Sequence, residues 1–529
     1  MAKVDEKARR LTRARRPAWL WQPAWAITGG GLVLYVTFTL QRWHRLASAS
    51  WDLAIFEQAV KGYAHLGAPI VDIKGPGFNQ LGDHFSPLLA VLAPFYRLWP
   101  TPVTLLLAQC FLLALSILPV TLAAKRFLGP APALLLGAAY ALAWGFQSGL
   151  SVEFHEYCLA VPLLAFALTS LLASRWTATA TFALLLLGVK EDLGLTTAAI
   201  GLLMFAQGRR RQRQPAGQPA ILGEGDTVIR AAKPAPPADP GQLADAKREA
   251  RLGAVVAAVG IAAMAVILVV VIPAFNPAGQ WDYWGRLENS DGQATGGNAV
   301  AAVLQRLPDL VFSFFTNQTK VTTSVLLAGL VVGACVVSRY ALLALPTLLW
   351  RFSSPVEGLW GTGWHNSLVL MPIIFAAGID GLRRLRRSPS PAVRRYSRLA
   401  PALSLVFALL LTSQFPFHEL ADPKSWAKSD RDRQAHAVLA LIADGSTIAT
   451  DAGLIIRLPA RTTTYWISSL PDQPVDYLLL DTIGGGWNVD PGDPSDWAEN
   501  HYPGTDYQTI YGGPGDTDNG GYRLAKLVD

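Results

Sequence analysis

Apolar runs long enough to cross a lipid bilayer recur along most of this chain, from "AWAITGGGLVLYVTFTL" near the start to "LAPALSLVFALLLTSQ" ending at Gln414. About 20 apolar residues in a helix span the roughly 30 Å hydrocarbon core, where the backbone must satisfy its own hydrogen bonds. Repeated runs of this kind leave one fold class, a polytopic, mainly α-helical membrane protein. Composition agrees, with 51% hydrophobic and 16% charged residues in 529. Cys110, Cys158 and Cys335 lie in or beside apolar segments with no disulfide or metal spacing, and read as small buried hydrophobes.

The net charge of +7 would suggest an acidic partner in a soluble protein, but here it reads as topology, with no nucleic acid implied. "KARRLTRARR" precedes the first span, about Trp25–Leu40, and lacks the cleavage site of a secretory signal. It marks residues 1–21 as a basic cytoplasmic N-terminus. "AAKRF", "ASRW", "GRRRQRQ" and "GLRRLRRSPSPAVRRYSR" supply further inside anchors. Spans consistent with them are about Pro102–Ala123, Pro130–Ser148, Tyr157–Ala173, Thr177–Val189, Leu193–Ala206 and Leu252–Ile272, then Thr322–Val337, Tyr340–Trp350, His365–Ile379 and Leu399–Gln414. Roughly eleven spans result, placing the N-terminus in the cytoplasm and the C-terminus outside a bacterial plasma membrane.

The organisation follows. Residues 22–206 form a first membrane module with an external loop at 42–101, and residues 252–416 form a second. Between them, 207–251 is rich in Pro, Gly and charge and reads as a disordered cytoplasmic linker. Over 417–529 the hydropathy drops. "RDRQAHAVLALIADG" has helical spacing, while "STIAT", "RTTTYWI", "VDYLLLD" and "YRLAKLV" read as strands, giving a small extracytoplasmic α/β domain. Asp490, Asp493 and Asp496 in "WNVDPGDPSDW" have the composition of ordinary turns.

Within "TFALLLLGVKEDLGLTTAAIGLLMFA", Lys190, Glu191 and Asp192 interrupt the apolar run. A charge at mid-bilayer costs at least a few kcal/mol, so such residues mark a site or a break. Either one long helix buries them, or two short helices meet at a charged external turn. Arg175 and Arg209 at the two far ends both belong in the cytoplasm, which requires the chain to go out and return. The external turn is the favoured reading, lining a water-filled cavity.

Other polar groups fall on the same side. In "SASWDLAIFEQAVKGYAHLGAPI" the spacing of Trp51, Ile55, Ala59 and Tyr63 predicts an amphipathic helix along the outer surface, capped by Ser50, with Asp52 in its first turn and Glu57 further on. "LGDHFSPLLAVLAPFYRLWPTP" puts Asp83 and His84 before a short re-entrant or interfacial helix that carries Arg97. "SVEFHEYCLAVPLL" places Glu153, His155 and Glu156 at the outer mouth of two spans, and "VEGLWGTGWHNSLVLMP" adds Glu357 and His365. Each group has a plain structural alternative. Asp52 can be a helix-start residue, His84 a cap, the Glu153–Glu156 segment a wetted loop, and the Lys190–Asp192 cluster a set of structural ion pairs. Their convergence on one face is what favours a site.

The motifs "WDLAIFEQAVKG", "GDHFSPLLAVLAPFYRLWP", "EFHEYCLAVPLLAFAL", "LLLGVKEDLGL" and "WHNSLVLMPIIFAAG", in that order, resemble the bacterial membrane-protein family DUF2079. That family is in turn similar to GT-C membrane glycosyltransferases, which take sugar from a polyprenyl-phosphate carrier on the outer face. The resemblance implies that Asp52, in the first external loop, is the catalytic base. "HFSPL" is comparable to a His-Pro-Pro-Leu motif, with Phe85 and Ser86 in place of its first Pro. Lys190 matches a Lys between two short membrane helices, though Glu191 and Asp192 replace the usual Gly-Pro.

The residue types suit that chemistry, since a carboxylate can deprotonate an acceptor hydroxyl and a cation can meet the departing phosphate. His84, Arg97, Lys190 and His365 are candidates for binding substrate. Glu57, Asp83, Glu153, His155, Glu156, Glu191 and Asp192 are supporting or metal-ligand candidates, compatible with a divalent Mg or Mn although the pattern requires no cofactor. The expected partners are a polyprenyl-phosphate-linked sugar, membrane lipid and a cell-envelope glycan, lipid or protein acceptor. A secondary transporter and a non-catalytic scaffold of the same fold are the alternatives. Substituted motifs favour the scaffold, and broken helices favour the transporter.

Overall fold

The computed structural model describes residues 21–47, 51–213, 240–279, 316–354, 356–516 and 518–528. Ser50 and residues 1–20 and 214–239 lie outside them, so the expected cap, most of the basic N-terminus and the middle of the linker are not described. The rest is a helical bundle with a small sheet domain on one end.

The bundle is built from α1 (Gln22–His44), α3 (Pro102–Leu128), α4 (Pro130–Ala141), α5 (Trp144–Ser151), α6 (Tyr157–Leu172), α7 (Trp176–Leu185), α8 (Leu193–Arg213), α9 (Pro240–Val266), α10 (Gln318–Gly329), α11 (Leu345–Ser353), α12 (Leu370–Leu385) and α13 (Pro391–Thr412). Among the described residues, four helical stretches are long and apolar enough to cross a membrane, namely 22–44, 102–128, 130–151 and 241–275. Val33, Leu202, Val255, Val269 and Leu410 are exposed on these and neighbouring helices, an outer surface suited to lipid rather than water. The remaining expected spans are shorter or interrupted, except those on α8 and α13, which are 21 and 22 residues long. Between α4 and α5 the ladder breaks, and the Gln147 side chain donates to the freed Leu142 carbonyl at 2.8 Å.

Two boundaries differ from the sequence reading. α8 continues to Arg213 and α9 already starts at Pro240, so 207–213 and 240–251 are helical rather than linker. α8 is therefore 21 residues long, about 30 Å, and not a short helix. The reason is packing. Gly194, Gly201 and Gly208 recur every seventh residue along α8 and face Gly260, Gly253 and Ala250 of α9. A Cβ on Gly201 would stand 2.7 Å from the Gly253 carbonyl oxygen and collide with the Ala257 backbone nitrogen. Close approach of this kind replaces the hydrophobic drive that lipid removes. Gly201→Leu is expected to destabilise the bundle by about 1–3 kcal/mol or more, as overpacking does. Thermal unfolding in detergent checks this, with Gly30→Leu, where the space is open, leaving the midpoint unchanged.

Contacts define two poles. At one, Arg386 reaches the Leu128 carbonyl, Gln207 the Tyr340 hydroxyl, Arg211 the Ser174 hydroxyl, and Ser338 the Asp380 carboxylate. This is the basic pole. At the other, Asn276 donates to the Gly82 carbonyl at 2.9 Å and Gln109 to the Glu153 carbonyl at 2.5 Å. The expected surface helix, α2 (Asp52–Ala64), lies here but is not on the surface. Leu53 through Val60 are all buried, because the sheet domain covers the face opposite the bundle. Gln58 donates to the Thr464 carbonyl at 2.9 Å and Lys61 to the Pro459 carbonyl at 2.7 Å.

The sheet has the order β2 (Thr463–Trp466), β1 (Thr447–Thr450), β3 (Tyr477–Asp481), β5 (Tyr522–Val528), β4 (Asp506–Tyr511). β1 runs parallel to both β2 and β3, while β5 is antiparallel to β3 and β4. Four strands fall on the expected segments; β4 and α15 (Pro494–His501) do not. Alternation sets the faces. Ile448, Tyr477 and Leu479 join Ala435 and Val438 of α14 (Asp430–Ala440), while Ala449, Leu478 and Leu480 join Ala498 of α15. Asp490 pairs with Arg523, Asp493 caps α15 and Asp496 lies in its first turn, so this acidic loop is structural as expected.

Candidate active site

The charged turn resolves as two helices meeting, not one long helix. α7 ends in a 3-10 turn at Leu186–Gly188, and α8 begins at Leu193. The turn between them is buried in protein rather than lining open water, with Lys190 7% and Glu191 2% exposed. Each side chain has a polar partner. Lys190 Nζ stands 2.7 Å from Glu156 Oε1 and 4.7 Å from the centre of the Tyr157 ring. Glu191 Oε1 lies 2.8 Å from His84 Nδ1, and its Oε2 accepts from the Phe85 backbone N–H at 3.1 Å. Asp192 Oδ2 accepts from the Tyr157 hydroxyl at 2.9 Å and the Trp350 indole at 3.3 Å. The turn is thus a hub joining the loops at 83–86 and 153–157 to α11.

From this hub the network reaches Asp52. Glu156 Oε2 lies 2.8 Å from His155 Nδ1, which leaves His155 Nε2 available on the other side of the ring. The His155 ring stacks on His365 with centroids 3.3 Å apart. Asp52, His155 and His365 each offer one ligand atom, and these lie within 4.8 Å of one another. His365 Nδ1 is buried and has no hydrogen-bond partner among the described residues, the kind of orphan that a bound ligand satisfies. Two imidazoles and a carboxylate fit a divalent metal. They suit Zn²⁺ or Mn²⁺ better than Mg²⁺, which prefers oxygen ligands.

Asp52 also borders a cavity of about 540 Å³ between the bundle and the sheet domain. Trp51, Trp364, Trp466 and Tyr522 supply aromatic walls, and Arg431 and Asp481 line the far side. The cavity opens at the carboxyl ends of β1 and β3, where the order β2-β1-β3 sends the connections to opposite sides of β1 and leaves a crevice between parallel strands. Asp451 follows β1 and Asp481 ends β3. Asp481 is held by Arg431 at 2.6 Å and by the Gly484 backbone N–H at 2.7 Å. Burial pushes the Asp451 carboxyl up to about 6.

The remaining sequence candidates stand apart from the Asp52 centre. Glu57 is fully buried and accepts from the Tyr96 hydroxyl at 2.9 Å, and burial pushes its carboxyl up to about 8. Asp83 is paired with Lys74. Glu153 has a left-handed backbone (φ 59°) and lines a separate crevice with Arg42. Arg97 is exposed at the end of the short helix Ala93–Leu98, and no hydrogen bond or ion pair among the described residues ties it to the cluster. Sequence reasoning missed Tyr157, Trp350, Gln109, Arg351, Arg431, Asp451 and Asp481. Arg351, fully buried and donating to the Asn366 carbonyl at 2.9 Å, carried the same signal as Lys190, a cation beside an apolar run.

A family described as "Predicted membrane protein (DUF2079)" matches residues 42–512. The chain belongs to the DUF2079 family. No curated protein matches it. Among solved structures, it is similar to ArnT from Cupriavidus metallidurans bound to undecaprenyl phosphate, at 12% identity over 94% of this chain and 97% of that one, with a TM-score of 0.48. It is also similar to the Archaeoglobus fulgidus oligosaccharyltransferase in the apo form, at 12% identity over 87% of this chain and 69% of that one, with a TM-score of 0.42.

Proposed function

We propose that this DUF2079 protein is a membrane glycosyltransferase that moves a sugar from a polyprenyl-phosphate carrier to an acceptor in the cell envelope, at the pole opposite the arginine clusters. The observation that carries the reading is the position of Asp52. It stands beside two imidazoles and at the edge of an aromatic-walled cavity. Aromatic faces and fixed carboxylate and guanidinium groups suit a sugar or a polar acceptor. In the reaction, the acceptor hydroxyl gives its proton to an Asp52 oxygen as its own oxygen bonds to the anomeric carbon. The bond from that carbon to the phosphate oxygen breaks, and polyprenyl phosphate leaves with the electron pair. A divalent cation held by Asp52, His155 and His365 would supply positive charge for the departing phosphate.

The remaining residues act by holding this centre. Glu156 fixes the His155 ring, and Lys190, buried against Glu156, keeps that carboxylate in place rather than standing free for phosphate. Arginine clusters at one pole support a cytoplasmic position for that pole, and with it an outer position for the Asp52 site. Lipid and glycan profiling of a deletion strain tests the reading: one glycolipid or envelope glycan is expected to lose a sugar and regain it on complementation. An unchanged profile would remove it.

Metal binding is a separate expected result. Purified protein is expected to bind about one equivalent of Zn²⁺ or Mn²⁺, and Mg²⁺ more weakly. His365→Ala is expected to weaken binding at least tenfold while the protein stays folded, as calorimetry or metal analysis would show. Equal binding by wild type and variant would place the metal elsewhere.

A further inference from the structure

The basic pole holds a second cavity, of about 370 Å³, and its lining is unusual in charge. Arg210 and Arg211 come from the end of α8, Arg339 from the start of the 3-10 helix Arg339–Ala344, and Arg383, Arg384 and Arg387 from the end of α12 and the turn after it. Among the described residues, only two of these six have a carboxylate partner. Arg211 pairs with Glu249 at 3.0 Å and Arg384 with Asp380 at 2.7 Å. Asp380 is the one carboxylate in the lining among the described residues. Arg339 Nε is buried with no hydrogen-bond partner among them.

A topology signal requires arginines near span ends, not their convergence from three elements on one concavity. Cations gathered this way repel unless an anion joins them. Guanidinium forks match phosphate oxygens in pairs, and basic pockets between membrane helices at the cytoplasmic face take phospholipid headgroups. The floor is polar too, since Gln207 donates to the Tyr340 hydroxyl at 3.3 Å, while Leu172 adds an apolar edge. We propose that this cavity binds a phosphate-bearing anion through Arg339, Arg383 and Arg387, at a site separate from the Asp52 centre.

The test uses the full-length protein in detergent. In native mass spectrometry, phosphatidylglycerol or cardiolipin is expected to form adducts at least about tenfold more readily than phosphatidylcholine. The preference should vanish in the triple variant Arg339→Gln, Arg383→Gln, Arg387→Gln. Thermal stabilisation by inorganic phosphate or pyrophosphate, lost in the same variant and without a lipid preference, would instead assign the site to a soluble phosphate compound. Because the Gln changes also remove topology signals, the triple Lys variant is measured beside it. It keeps the charge and loses the forks, and is expected to bind several-fold less. A lipid and phosphate response equal to wild type in the Lys and Gln variants, or no response in the wild type, overturns the proposal.

Discussion

Asp52→Asn is expected to abolish sugar transfer, by about 10²–10⁴-fold, the range over which a positioned general base contributes. The amide has the same shape as the carboxylate but cannot take the acceptor proton. Asp52 opens α2 with its backbone already fixed by the helix, so the substitution leaves the fold in place. The measurement is the deletion strain complemented with the variant: the sugar-bearing product stays absent while the protein accumulates in the membrane and melts as the wild type does. Asp52 also offers a ligand atom beside His155 and His365, so metal affinity is measured on the same sample. Loss of product with metal retained assigns the loss to the base. Undiminished product would remove Asp52 from the chemistry, and with it the transferase reading. A transporter would instead show altered uptake, more sensitive to Lys190 or Glu191 than to Asp52.

The second large effect comes from Glu156→Gln. Glu156 is fully buried and stands between the Lys190 ammonium and His155 Nδ1. Removing one member of a buried pair leaves the other uncompensated, which costs about 3–5 kcal/mol. The variant is therefore expected to melt well below the wild type, and His155 loses the carboxylate that fixes its ring. Lys190→Met in the same chain removes the stranded charge. The double variant should recover much of the stability but not the transfer activity, because His155 remains unheld. Additive losses in the double variant would show that Lys190 and Glu156 do not act as a pair.

These two residues show how much of the molecule could be read without coordinates. The interruption at Lys190–Asp192 was legible because charge in an apolar run is costly wherever the chain goes, and the arginines at both ends dictated a turn. Convergence on one face was legible for the same reason. The burial of α2 was not: its spacing describes an amphipathic helix, but both faces are covered, one of them by the sheet domain. The length of α8 was also hidden, because its polar end, "QGRRRQR", is helical through glycine-mediated packing on α9 rather than through hydropathy.

The sequence by itself determined the fold class, the poles and the helix–strand division of the C-terminal domain. Hydropathy and charge act between each residue and its solvent, so they survive in one dimension. Only the tertiary structure decided that Asp52 meets His155 and His365 while Lys190 is spent on Glu156, and that Arg431 and Asp481 face the same cavity as Asp52. Those choices depend on which loops the packed helices bring within about 5 Å, a distance at which coordination and ion pairing operate and about which sequence separation carries no information.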